Sequence, residues 1–192
     1  MRVWLLPLAL LAGASACTTD PDEPIATSEG PFYTRSGGSF DKLSLTPTDG
    51  AGIIESEAAL GAALEAAGVK SRFRAFVEDK NGVCGLGAKR QNATVLAIEA
   101  LSDSPTFAPG TYTQKQSPAP GQVDLSITKL DATCGSDQQD YGTESGTVTI
   151  TSVTATIVTG TFDVTLMGGA GTLSGSFNVP LCPSLRSESC DP

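Results

Sequence analysis

Histidine is absent from all 192 residues. That absence removes the side chain that most often moves protons near neutral pH, so Ser-His-Asp and Cys-His nucleophilic catalysis are excluded, together with every histidine-bearing zinc or iron site. Tryptophan occurs once, at Trp4, and the tyrosines are Tyr33, Tyr112 and Tyr141; aromatic platforms on which a sugar ring could stack are scarce. Positive charge is short as well, with 12 Lys and Arg against 21 Asp and Glu and a net charge of −9. Arg72, Arg74, Lys80, Lys89 and Arg90 are interleaved with Glu78 and Asp79. There is thus no basic patch to release counterions from a phosphate backbone, and nucleic acid is not expected as a partner. No apolar run reaches the roughly 20 residues of a membrane-spanning helix.

What is present begins with VWLLPLALLAGASA at residues 3–16, directly after Met1 and Arg2. A short greasy run ending in small residues has the layout of a secretory signal, assigned to residues 1–16. Ala14 and Ala16 fit ordinary signal cleavage. The stretch Ala14-Ser15-Ala16-Cys17 also resembles the bacterial lipobox, with Ala14 standing where leucine is usual. That resemblance implies a diacylated Cys17 as the mature N-terminus and attachment to a membrane through the lipid, at the bacterial outer membrane or cell surface. Cleavage before Cys17 would leave 176 residues, enough for one domain, and losing Arg2 would take the net charge to −10. Thr18 to Pro24, with three acids and two prolines, reads as a solvated tether, and residues 17–50 as tether and irregular lead-in to a β-rich domain over 51–192.

Five cysteines, Cys17, Cys84, Cys134, Cys182 and Cys190, leave an odd thiol in an exported chain. Lipid on Cys17 accounts for it, and the other four make two disulfides in an oxidising compartment; the alternative is four small buried hydrophobes. Three connectivities are open. Cys134 and Cys182 both end strands, while Cys84 follows the KNG turn and Cys190 sits in a tail that needs fastening, so the expected pairs are Cys134 with Cys182 and Cys84 with Cys190. The rival is a small ring from Cys182 to Cys190.

Along the chain, SEAALGAALEAAG carries one helical period: Ser56 as N-cap, Leu60 and Leu64 four apart on one face, Gly68 as stop, hence a short helix over 57–67. Beyond it the period is two. Phe73, Ala75 and Val77 alternate with Arg72, Arg74 and Glu78; Val123, Leu125 and Ile127 alternate with Asp124, Ser126 and Thr128. Phe162, Val164 and Leu166 share a face, and after the Gly168-Gly169-Ala170-Gly171 turn so do Leu173, Phe177 and Val179, with Thr on the solvent side. Six to eight antiparallel strands with close turns and one short N-terminal helix predict an all-β antiparallel β-sandwich, with a closed β-barrel as the alternative.

The segments GTYT, SGTVTITSV, VTGTFDVTL and GTLSGSFNVPLC resemble the strand signatures of small lipid-anchored β-proteins abundant in myxobacteria and, more distantly, of Bacteroidota domain families without an assigned function. The resemblance spans roughly residues 70–182. It implies an outer-membrane lipoprotein with an all-β domain and carries over no functional residue.

Remaining motifs are few. Cys84, Cys134, Cys182 and Cys190 contain no C-x-x-C pair, against a zinc site, and GLGAK at 85–89 has no helix after it, so it reads as a hairpin turn rather than a phosphate loop. Asn92-Ala93-Thr94, a sequon, reads as a turn entering a strand. In DATCGSDQQDYGTE, Asp131, Asp137, Asp140 and Glu144 offer oxygen ligands for calcium, against a plain solvated acidic loop. No cofactor is expected. Two functions follow from different classes: a non-enzymatic binding or structural module of the cell envelope with a protein or envelope partner, or a hydrolase working with carboxylates alone. Two carboxylates facing each other in an enclosed cleft would favour the enzyme; a filled core with acids scattered outward would favour the module.

Overall fold

A computed structural model describes residues 33–39, 43, 45, 48–80, 83–84, 91–183 and 185. The strands are β1 (Tyr33–Gly38), β2 (Asp49–Ser56), β3 (Ser71–Glu78), β4 (Thr94–Ser102), β5 (Gly110–Gln114), β6 (Gln122–Leu130), β7 (Ser136–Val153), β8 (Ile157–Leu166) and β9 (Gly171–Pro180). They form one nine-stranded sheet in the order β1-β9-β8-β7-β5-β6-β4-β3-β2, antiparallel except where Thr113 and Gln114 of β5 run parallel to Gln122 and Val123 of β6. The chain is all-β with little helix, as its alternating pattern predicts. A single sheet, rather than two, encloses the core.

It does so by coiling. Phe73 of β3 and Phe177 of β9, near opposite ends of the strand order, stack with ring centroids 6.3 Å apart. Leu181 just after β9 bridges in parallel to Gly52 of β2, and the Cys182 amide donates to the Gly52 carbonyl at 2.8 Å. The ends touch at this point while the sheet stays open, so the closed-barrel alternative is not realised. Inside lie the residues whose alternation marked them: Phe73, Ala75, Val77, Val123, Leu125, Ile127, Phe162, Val164, Leu166, Leu173, Phe177 and Val179 are all buried. Each large side chain removed from water contributes up to about 1.5–3 kcal/mol. Phe107 stacks on Tyr112 at 5.4 Å and reaches Phe73 at 5.7 Å, joining the loop before β5 to this core.

Three features differ from the expectation. The sheet begins at Tyr33, inside the stretch whose composition reads as lead-in, because Tyr33 stacks on Phe162 at 5.7 Å and β1 pairs with β9. The single helix over 57–67 is two pieces, a 3-10 turn (Glu57–Ala59) and α1 (Ala62–Ala66), and Ser56 makes no side-chain cap. Leu60 sits between them in extended conformation and drops into a small cluster with Val69 and Leu101; burying it outweighs one more helical turn. Third, the expected cysteine pairs are not formed: Cys84 bonds Cys182, with Cα atoms 5.7 Å apart.

The reason for that pairing is a second apolar cluster on the outside of the sheet. Ala51, Phe76, Val83, Ala93, Val95 and Cys182 pack together with Cys84 and Leu185, so the segment after β3 and the segment after β9 fold over the outer face of β2, β3 and β4. Leu185 bridges Cys84, and Asp49 Oδ2 accepts the Val83 amide at 2.9 Å. Cys182 does not pair with Cys134, because the coil carries the end of β9 to β2 and hence to Cys84. Glu78, on the same outward side of β3 as Phe76, is buried as well.

Candidate functional site

Outward-facing positions on β3, β4 and β6 fall into rows set by the register. Arg74 faces Glu99, and Glu99 faces Asp124; in the next row Phe76 faces Ala97, and Ala97 faces Ser126. Ala97 is the short member of its row. The missing volume above it leaves an open depression of about 160 Å³, lined by Arg74, Phe76, Ala97, Glu99, Asp124 and Ser126. Its floor and one wall are apolar, its far wall carries a hydroxyl, and its end carries two carboxylates beside the Arg74 guanidinium.

The charges around it are held in place. Glu55 Oε2 accepts from Arg72 Nε at 2.7 Å and Arg74 Nε at 3.0 Å, and its Oε1 accepts from Arg74 Nη2 at 3.1 Å. Arg72 Nη1 donates to Glu99 Oε1 at 3.3 Å. Burial alone would raise the Glu55 carboxyl, but the two guanidiniums overcome it and hold it below the usual glutamate range. Arg72, desolvated but flanked by Glu55 and Glu99, is held more firmly protonated than usual.

Asp124 behaves in the opposite way. Burial raises its carboxyl and Asp140 adds repulsion, against the lowering influence of hydrogen bonds from Gln114 and the Leu125 amide. Gln114, 1% exposed, is the positioning group: Nε2 donates to Asp124 Oδ1 and Oε1 accepts the Leu125 amide, each at 3.0 Å. It is needed because β7 leaves β6 to pair with β5 at this point, which would strand backbone groups of β6. Thr143 Oγ1 completes the junction by donating to the Leu125 carbonyl at 2.6 Å. The side chain that repairs the sheet thus also orients the carboxylate of the depression.

The acids singled out for calcium are placed elsewhere and are not gathered. Asp131 Oδ1 accepts from the Thr133 amide, the Thr133 hydroxyl and the Gly135 amide at 2.7, 2.8 and 2.9 Å, closing a turn. Asp140 accepts from Thr128 Oγ1 at 3.0 Å. Glu144 is exposed further along β7, and the Asp137 side chain lies outside the described residues. Among the described residues no three His, Cys, Asp or Glu side chains could hold a metal together. Asn92 does form the turn into β4, at φ +57°, while residues 85–89, Cys17 and Cys190 fall outside the description. Cys134 is disulfide-bonded in its own right.

Sequence reasoning passed over Glu55, Glu99, Asp124 and Gln114. For Glu55 and Glu99 the signal is a lone acid inside an apolar strand, in GIIES and VLAIEALS, beside a strand reading SRFRAF; Asp124 sits in the regular alternation of QVDLSI and Gln114 at the end of GTYTQ, with no signal of their own. Which of them meet is a matter of register. No protein-family model matches the chain, and neither does any curated protein or solved structure.

Proposed function

We propose that the protein is a lipid-anchored lipoprotein of a bacterial cell envelope whose β-domain is a non-enzymatic binding module, engaging its partner through the outer face of β3, β4 and β6. The observation that carries this reading is the state of the acids there: Glu55 and Glu99 are committed to arginines and Asp124 to Gln114, around an open depression rather than an enclosed cleft. Fixed, partnered charges suit recognition of a surface, since they lose little freedom on binding. The core beneath is filled by aliphatic and aromatic side chains. Attachment rests on Cys17 in its small-residue setting. In whole cells, Cys17→Ser should move the protein from the membrane fraction to the soluble fraction, and intact mass of the unaltered protein should show a diacylglycerol adduct. A bare Cys17 thiol at the mature N-terminus would overturn the anchor.

One observation favours a second reading, a carboxylate-dependent envelope hydrolase. Asp124, with its raised carboxyl, stands directly across from Glu99, the pairing of a general acid with a base. Under that reading Asp124→Asn abolishes turnover of an envelope glycan or ester; under the module reading the unaltered protein shows no turnover to lose.

A further inference from the structure

The binding reading leaves open what the depression takes, and its walls narrow the choice. An anion is disfavoured, because Asp124 and Glu99 stand side by side at one end and Arg74 spends its Nε and Nη2 donors on Glu55. A bare metal ion lacks ligands: calcium takes 6–8 oxygens, and two carboxylates with one hydroxyl do not approach that number. A guanidinium would want a planar fork of free acceptors, whereas Asp124 Oδ1 already takes Gln114 Nε2 and Glu99 Oε1 takes Arg72 Nη1. What fits is a compact cation on an apolar stem.

We propose that the depression binds an alkylammonium group, its nitrogen between the Asp124 and Glu99 carboxylates and the Ser126 hydroxyl, its methylene stem lying over Ala97 along Phe76. Glu99 and Asp124 are directly opposed in an antiparallel pair, where Cβ atoms lie about 5 Å apart, so one ammonium can reach both carboxylates. The floor is short because position 97 is alanine, and the stem takes the space that a larger side chain would fill. The chain's net charge of −9 draws cations toward it. This inference rests on reading the face as a binding surface. The same chemistry is offered by a free polyamine and by a lysine side chain of a peptide.

Titration of the isotope-labelled full chain with butylammonium, spermidine and Nα-acetyl-lysine amide, followed by amide chemical shifts, tests it, with butanol as the uncharged stem. Saturable shifts at Asp124, Ala97 and Ser126 are expected with the ammonium probes, and binding of butanol at least about tenfold weaker. Asp124→Asn should weaken the ammonium probes by at least about tenfold with an otherwise unchanged spectrum, Ala97→Leu should remove binding, and Glu144→Gln should leave it intact. Tighter spermidine assigns the source to polyamines, and tighter acetyl-lysine amide to a peptide lysine. Equal binding of butanol and butylammonium, or shifts that persist in both Asp124→Asn and Ala97→Leu, would overturn the proposal. Glycan or ester hydrolysis lost in Asp124→Asn would overturn the module reading whatever the titration gives, whereas a flat titration without hydrolysis overturns the amine alone.

Discussion

On the outer face of β3, β4 and β6 a row of cross-strand neighbours reads Arg74, Glu99, Asp124; on β7, β8 and β9 another reads Thr149, Thr161, Ser176. Both halves bury the same alternating apolar residues, yet one faces outward with paired charges and the other with hydroxyls. The charged half fastens its strands through side chains, with Glu55 tying Arg72 to Arg74 and Arg72 reaching Glu99. In the hydroxyl half strands are fastened by close backbone approach. Gly160 has no room for a Cβ, which would stand 2.6 Å from the Thr149 carbonyl oxygen and press on the Phe177 ring. Specific chemistry therefore collects where the side chains do the fastening, which is where the depression lies.

The largest effect should come from cutting the link between the halves. Cys84 follows β3 and Cys182 follows β9, 98 residues apart in sequence. By the chain-entropy account a loop of that length contributes about 4–5 kcal/mol. Replacing both cysteines by alanine should lower the denaturation free energy by roughly that amount, and a loss below about 1 kcal/mol would mean that the outer cluster of Phe76, Val83 and Val95 holds the ends together unaided. Next comes Gly160→Ala, expected to cost about 3 kcal/mol by overpacking against Phe177; an unchanged unfolding midpoint would remove the backbone-approach account of the hydroxyl half.

Charge comes third, and pH resolves it. Glu55 has its carboxyl lowered, so its contribution is present above the ordinary glutamate value of about 4.3 and is lost as pH falls through the lower folded value. Asp124 has its carboxyl raised, so its contribution is present below the ordinary aspartate value of about 3.9 and is lost as pH rises through the higher folded value. Glu55→Ala should cost about 2 kcal/mol at neutral pH and flatten the acid limb of the stability curve, since it frees two partly covered arginines. Asp124→Asn should change the slope with the opposite sign. Like-signed slopes in chemical denaturation between pH 3 and 6 would contradict these two environments.

How far the sequence discloses this differs by level. Period two in Phe73-Ala75-Val77 and Phe162-Val164-Leu166 declares which side chains go inward, because alternation is a property of each strand alone. Sheet order, register and the coil that brings β9 to β2 are relations between strands, and no strand records its neighbour. Hence the helix at 57–67 is legible as a tendency but not its break at Leu60, whose partners Val69 and Leu101 are supplied by later segments. The cysteine pairing fails for the same reason: Cys182 meets Cys84 through Gly52, 130 residues before it, and nothing local to Cys182 announces that. The depression depends on Ala97 lying between Phe76 and Ser126, a fact of register. Lone acids in apolar strands mark the neighbourhood without giving its geometry.

The smallest expected effect is the sharpest check on the comparison. Thr149 Oγ1 lies 3.1 Å from Thr111 Oγ1 across β5 and β7. In Thr149→Val the hydroxyl becomes a methyl of nearly the same shape, β-branching and strand preference are kept, and Thr111 can turn its hydroxyl to water at the surface. Little is lost because neither partner is left stranded away from solvent, and stability should change by less than about 0.5 kcal/mol. Thr151→Val, which breaks the 2.9 Å contact with Thr159, should behave alike. Neither substitution should alter the alkylammonium titration, since both lie outside the row pattern of β3, β4 and β6. A loss above about 2 kcal/mol at either site, read from urea denaturation midpoints, would show that the hydroxyl half is also fastened by its side chains, and the contrast between the two halves would fall.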